Sequence, residues 1–385
     1  MRGHLHKHPE DSQRVVADLP APRIQAHAAN LTLLPDGALA CVWFGGSMEG
    51  RADISVFKSQ LEPGSKQWSE AVQLSHDPLR SEQNPVLSVM PQGVLWLLHT
   101  AQTSGHQDTS VVRRRISLDQ GQTWGPTEDL PGVPRGTFVR QPIHLQSEVS
   151  WFLPIFRCKP VPGKAWDGSL DDSAVLHSTD QGASWSLIEV PGSLGCVHMN
   201  IVTASDGHLL AFYRSRWADH VYRSTSQDGG MTWQAPAPTI LPNNNSSIQA
   251  LRLQDGRLAM VFNASSAANA AERRASLYDD LDDLADFTEP ADSTALARQA
   301  FWGAPRAPLT LALSEDDGLT WPWQRNLETG DGWCMSNNSE QRLNREYSYP
   351  SIAQSEDGAL HVAYTMFRQH IRYACVMPDW VQQAS

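Results

Sequence analysis

Ser178-Thr-Asp180-Gln-Gly182-Ala-Ser184-Trp185 is the stretch on which the fold turns. Its side chains can close a hairpin on themselves. Serine and aspartate bond to the turn's own backbone, glycine takes a positive φ, and tryptophan packs the hairpin onto its sheet. Near-complete copies run over residues 117–124, 226–233 and 314–321, centred on Asp119, Asp228 and Asp316. A degraded copy from Ser59 to Trp68 has lost the aspartate.

A second series lies between these. Each member is a polar-glycine turn followed by an apolar strand: Asp36-Gly37, Gln92-Gly93, Asp206-Gly207, Asp255-Gly256 and Asp357-Gly358, with a weak copy at residues 146–149. Such turns between apolar alternations read as β-hairpins. The two series interleave, one hairpin turn then one box turn, five times over, and Asp357 stands alone at the end. Each pair makes one four-stranded blade. The expectation is an all-β, six-bladed β-propeller over residues 1–385, its last blade completed by a strand from around residues 14–17. Such closure leaves no exposed sheet edge.

The fifth interval is about 35 residues longer than the period of the other blades. An insertion over about 264–304, rich in Ala, Asp, Glu and Leu, is expected there, with a helix over 267–284.

Composition narrows the function. The 385 residues include 26 Gly, 25 Pro and 14 Trp, which suits many tight turns with bulky packing. A net charge of −12 argues against nucleic-acid backbones as partners, although clustered arginines can still reverse the field inside one pocket. No apolar run is long enough to span a membrane. The N-terminal residues carry no apolar h-region, so a cytoplasmic location is expected. Five widely spaced cysteines fit neither a zinc pattern nor a small disulfide framework and are expected as buried thiols. No cofactor or metal is implied, and His4, His6 and His8 read as a solvated tail.

The octets resemble Asp-boxes, the turn motifs of sialidase-type propellers, and the resemblance covers nearly the whole chain, in the manner of the bacterial sialidase-like group labelled neuraminidases. It implies that Asp119, Asp180, Asp228 and Asp316 are structural. It also implies a site of three arginines for a carboxylate, a tyrosine nucleophile, a glutamate that activates it and an aspartate as acid/base. Carried over by offset from the turns, the nucleophile position falls on Tyr349, with Glu346 close by. Two arginine positions fall on Arg214 and Arg306, whose guanidinium forks suit a carboxylate. The first arginine position holds His27, and the glutamate position holds His198. The acid/base loop offers Glu49 and Asp53, with Arg51 as a substitute for the missing arginine. Asn244, in an Asn-rich string, suits sugar hydroxyls.

Three functions are consistent with these residues. The first is a sialidase-like exo-glycosidase acting on an acidic sugar, with Tyr349 attacking and Glu49 or Asp53 protonating the leaving oxygen. The second is a lyase acting on a uronic acid, with His198 and Tyr349 as base and acid; the two histidines favour this. The third is a sugar-binding propeller without catalysis.

Overall fold

A computed structural model describes residues 2–161, 165–274, 277 and 298–383. Six antiparallel sheets stand in a ring, each with its first strand at the centre. The first blade is Gln25–Leu33, Leu39–Gly46, Ser55–Leu61 and Val72–Gln73; the fourth is Cys196–Thr203, Leu209–Ser215, His220–Ser226 and Ala237–Pro242. The hairpin turns join first to second strands, and the box turns join third to fourth strands, as the two series imply. In the third blade the weak turn at 146–149 serves, with Gln146 N donating to Ser150 O (3.0 Å), and the innermost strand is broken into Thr137–Val139 and His144–Leu145.

Each box closes identically. Gly182 N donates to Ser178 Oγ (2.8 Å), Ser178 Oγ to Asp180 Oδ1 (2.8 Å) and Ser184 N to Asp180 Oδ1 (2.9 Å). The same three bonds recur around Asp119, Asp228 and Asp316. The serine hydroxyl and amide at the end of the turn hold Asp180 down at about 2. These carboxylates are spent on the turn, on the rim of the ring.

The sixth blade, Tyr347–Gln354, Leu360–Met366 and His370–Val376, is completed by Asp11–Asp18 from the other end of the chain, with Val15 opposite Cys375. His6–His8 adds a fifth strand to it. This corrects the reading of the histidines as a free tail: His8 Nδ1 bonds Arg14 Nη2 (2.9 Å) and His4 bridges Gln67. A strand in the sheet ties them down.

Polar side chains latch neighbouring blades at the centre. Asn30 Oδ1 accepts from Leu87 N (2.8 Å), Asn200 Oδ1 from Ala250 N (2.6 Å), and Gln249 Oε1 from Ile352 N (2.7 Å). Ser351 Oγ accepts from Leu31 N (2.8 Å), which returns the chain of latches to the first blade. Apolar residues fill the spaces between sheets; Leu209, Tyr213 and Phe152, for example, pack blade three on blade four. All five cysteines are free thiols.

The long fifth-blade connection lies between Leu258–Asn263 and Leu309–Ser314. The expected helix over 267–284 is not what its described part forms. Ala267–Asn269 is a single 3-10 turn capped by Ser266, and Arg274 then bridges to Trp302 as an isolated β-bridge. Backbone pairing to the returning segment displaces the helix that the composition favours; residues 275–276 and 278–284 lie outside the described residues.

Candidate functional site

The site is built on bulges. In four innermost strands two residues face a single one on the neighbouring strand, and the first of those two has a left-handed backbone: Ala28 (φ 59), Asn84 (φ 49), His198 (φ 56) and Tyr349 (φ 51). Each precedes the glycine of its own hairpin turn by nine residues. A bulge re-aims its side chain out of the sheet, and such strained positions gather at functional sites. The ring therefore aims one residue from each of these blades towards its centre.

Below the site the channel is plugged by Arg140, which is 2% exposed. Its guanidinium donates to Ala29 O (2.9 Å), Tyr349 O (3.2 Å), Pro350 O (3.4 Å) and Ser247 Oγ (3.2 Å), binding blades one, five and six to blade three. Burial lowers its pKa to about 10.

Above it lies a pocket lined by Tyr349, His198, Arg214, Arg216, Glu49 and Asn84, among others. Tyr349 is the hub. Arg214 Nη1 donates to its hydroxyl (2.6 Å), and the Arg306 guanidinium lies 5.5 Å from its ring centre. Burial alone would raise the phenol's pKa. The charges of Arg214 and Arg306 outweigh it, and the net shift is downwards.

His198 Nε2 is 3.4 Å from Arg214 Nη1. An arginine can only donate, so Nε2 is the acceptor and the ring is the neutral Nδ1–H tautomer. Its Nδ1 is buried with no hydrogen-bond partner among the described residues. Burial and the charge of Arg214 push its pKa well down. His27 packs 4.3 Å from the Tyr349 ring and bonds Thr365 through Nδ1 (2.9 Å). It is wholly buried and does not line the pocket, which corrects its reading as a substrate ligand. It stands one residue before the bulge at Ala28, so the slip that aims a side chain at the pocket does not act on it.

Glu346 is clamped. Its Oε1 accepts from Arg306 Nη1 (3.3 Å), Arg368 Nε (3.0 Å) and Ser348 Oγ (2.8 Å). Burial opposes ionisation, but Arg368 and Arg306 prevail and its pKa falls. A carboxylate so held is a weak base, so Glu346 serves to set the arginines. Arg368 Nη1 continues the chain to Glu49 Oε2. Glu49 is the carboxylate that faces the pocket.

Asp53 and Arg51 are exposed and outside the pocket lining. Asp53 is occupied by the amide and hydroxyl of Ser47 (2.8 and 2.9 Å), as the staple of its own loop. Asn244 donates to Pro305 O (2.7 Å), and it is Asn245, at φ 57, that accepts from Arg214 Nε (2.8 Å). The left-handed step at Asn245 puts the useful amide one residue along.

Arg216, Arg368, Asn245 and Asp171 were missed from sequence. Arg216 Nε and Nη2 donate to Asp171 Oδ2 (3.0 and 2.7 Å), and the guanidinium lies 5.2–5.7 Å from the ring centres of Trp302, Trp166 and Phe156. Only its position two residues after Arg214 signalled it. Near Tyr349, five buried arginines (140, 214, 216, 306, 368) meet three buried carboxylates (Glu49, Asp171, Glu346). The centre is thus electropositive in a protein of formal charge −12.

The sequence matches the family described as BNR repeat-like domain over residues 37–362. No curated protein matches it. Among solved structures it is similar to the Hadza microbial sialidase Hz136 (TM-score 0.67, 14% identity, 93% of this chain and 67% of that one). It is also similar to a protein of unknown function from Dyadobacter fermentans (0.66, 14%, 94% and 98%) and to the NanB sialidase from Streptococcus pneumoniae (0.64, 12%, 93% and 69%). At these identities the likeness is one of fold.

Proposed function

This chain belongs to the BNR repeat-like domain family, and from that premise we propose that it is a sialidase-type glycosidase acting on a carboxylate-bearing sugar. The observation that carries the proposal is the 2.6 Å bond from Arg214 Nη1 to the Tyr349 hydroxyl, in a pocket that also presents Glu49. A neutral phenol is a poor nucleophile and must be activated. Here the arginine field favours the phenolate, in place of a carboxylate base.

Arg214 draws the sugar carboxylate into the site by charge-assisted hydrogen bonds, and Arg306 adds its charge from behind. The Tyr349 phenolate attacks the anomeric carbon as the glycosidic C–O bond breaks, and Glu49, protonated once it parts from Arg368, gives its proton to the leaving oxygen. Water then attacks the same carbon, its proton returns to Glu49, and the phenolate is released. His198 accepts from Arg214 and keeps that guanidinium directed at the phenol.

The test is trapping. A fluorinated, activated acid sugar should add its glycosyl mass to the peptide containing Tyr349, and Tyr349→Phe should abolish both trapping and turnover. Turnover near wild type in that variant removes Tyr349 as nucleophile.

One observation favours a second reading. The phenol's partners are a guanidinium and neutral imidazoles rather than a carboxylate, which suits a tyrosinate acting as base in β-elimination on a uronate. The product would then carry a conjugated double bond that absorbs in the ultraviolet, and no glycosyl-tyrosine would form.

A further inference from the structure

We infer that Arg216 is the third carboxylate-binding arginine of this site, taking the role that His27 leaves vacant. The inference rests on the acidic-sugar reading above and names a residue for it.

Three observations carry it. Arg216 lines the same pocket as Arg214 and Tyr349. Its side chain is held rigidly: Nε and Nη2 both donate to Asp171 Oδ2, and three aromatic rings surround its guanidinium. Its backbone is pinned as well, with Arg216 N donating to Gly195 O (2.7 Å) and Phe301 N donating to Arg216 O (2.8 Å). The remaining nitrogen, Nη1, has no hydrogen bond among the described residues. Arg214 likewise commits Nε and Nη1 and leaves Nη2 without a bond among them. Both guanidinium groups therefore line one pocket with a nitrogen that no described residue engages, which suits an anion.

Asp171 is not a competing acid. Its Oδ1 accepts from Trp166 Nε1 (2.8 Å) and Lys159 N (3.2 Å), and Oδ2 takes both arginine bonds, so every oxygen is engaged in orienting Arg216. The wall is close-built. Gly168, at φ +89, lies where a Cβ would stand 3.2 Å from Trp302 and 3.3 Å from Arg216 Nε. Arg51, the substitute expected from sequence, is exposed and absent from the pocket lining.

A purely structural ion pair would affect folding but not the choice between an acid and its ester. The experiment therefore measures that choice. The full chain is titrated by NMR with the methyl glycosides of N-acetylneuraminic acid and of glucuronic acid, each against its methyl ester. Wild type, Arg216→Lys and the double variant Asp171→Asn/Arg216→Gln are compared. Lysine keeps a charge beside Asp171 but not the fork, and the double variant leaves no buried charge unpaired. Circular dichroism confirms that each is folded.

We expect wild type to prefer at least one acid over its ester, and both variants to lose about ten- to a hundredfold of that preference, the worth of one charge-assisted contact. Preference retained in a folded variant overturns the role of Arg216 and leaves the acidic-sugar reading standing. Wild type with no preference for either acid overturns the acidic-sugar reading, and the role of Arg216 with it.

Discussion

The ionisation of Tyr349 is the most exposed point of the reasoning, and Arg214→Gln probes it. The guanidinium carbon of Arg214 lies 5.5 Å from the tyrosine ring centre, as does that of Arg306. At an effective dielectric of about 20, a unit charge at that distance is worth about 3 kcal/mol. Removing Arg214 should therefore raise the phenol's pKa, Arg306→Gln should do likewise, and the pair should raise it further. With both gone, burial dominates and the phenol should titrate above its ordinary value. Among the described residues Arg214 has no carboxylate partner, so its removal strands no described carboxylate, and the variant should fold. The assay is the 13Cζ resonance of Tyr349 followed with pH, assigned by its absence in Tyr349→Phe. The linkage has a sign that can be checked independently. Because folding lowers this pKa, wild type gains stability as pH rises through the folded value towards 10, and Arg214→Gln should lose that gain. A folded Arg214→Gln whose Tyr349 titrates with wild type would refute the idea that the arginine field sets the nucleophile.

Other consequences concern the scaffold. Glu346→Gln leaves Arg306 and Arg368 facing each other without their shared carboxylate, and should cost about 3–5 kcal/mol in urea unfolding; an unchanged midpoint would contradict the clamp. Asp180 is held at about 2. Its contribution is present above its ordinary carboxylate range and lost as pH falls through about 2, so the difference in melting temperature between wild type and Asp180→Asn should shrink on acidification. Gly182→Ala would place a Cβ 2.4 Å from Trp96 at φ +80, whereas Gly256→Ala at φ +88 meets nothing within 4 Å. The second should cost about 1–2 kcal/mol for its backbone alone, and the first about 1–3 kcal/mol more for overpacking. Equal melting temperatures would show that the ring relaxes around Gly182.

What could be read in the sequence was whatever is tied to the repeat. Turn chemistry is local, so Asp180 and Gly182 announce a hairpin by themselves, and five such boxes interleaved with six hairpin turns announce the ring. Tyr349, His198, Arg214 and Arg306 were reached by counting from those turns; for Tyr349 and His198 the count works because a bulge at a fixed offset aims the same position in each blade. Arg216, Arg368 and Asp171 stand beyond the strand ends, in connections whose lengths differ from blade to blade, and counting gives them no address. Asn244 was chosen over Asn245 because composition cannot tell which of two neighbouring asparagines takes the left-handed step. Arg51 and Asp53 had the right chemistry in the right loop, but Ser47 ties that loop back on Asp53. The helix in the fifth blade was read from propensity, which over residues 267–274 yields to a 3-10 turn and the bridge between Arg274 and Trp302; nearly all of the rest of its span lies outside the described residues.

The seam of the ring has a kinetic consequence. Asp11–Asp18 docks on His370–Val376 across 354 positions of chain, with Arg372 bound to Asp18 and the Trp380 indole bound to Asp11 (2.8 Å). The entropy of joining ends that far apart is about 5 kcal/mol, against well under that for a hairpin. Each sheet can form from residues already near one another, but this one must wait for both ends. The docked strand should therefore be the last element to gain protection from hydrogen exchange during refolding and the first to lose it under denaturant. A permuted chain, with its ends joined and a new cut made between two other blades, would carry the slow step to the new cut. The order of assembly around the ring would follow the position of the cut, while the finished ring and its centre stayed the same.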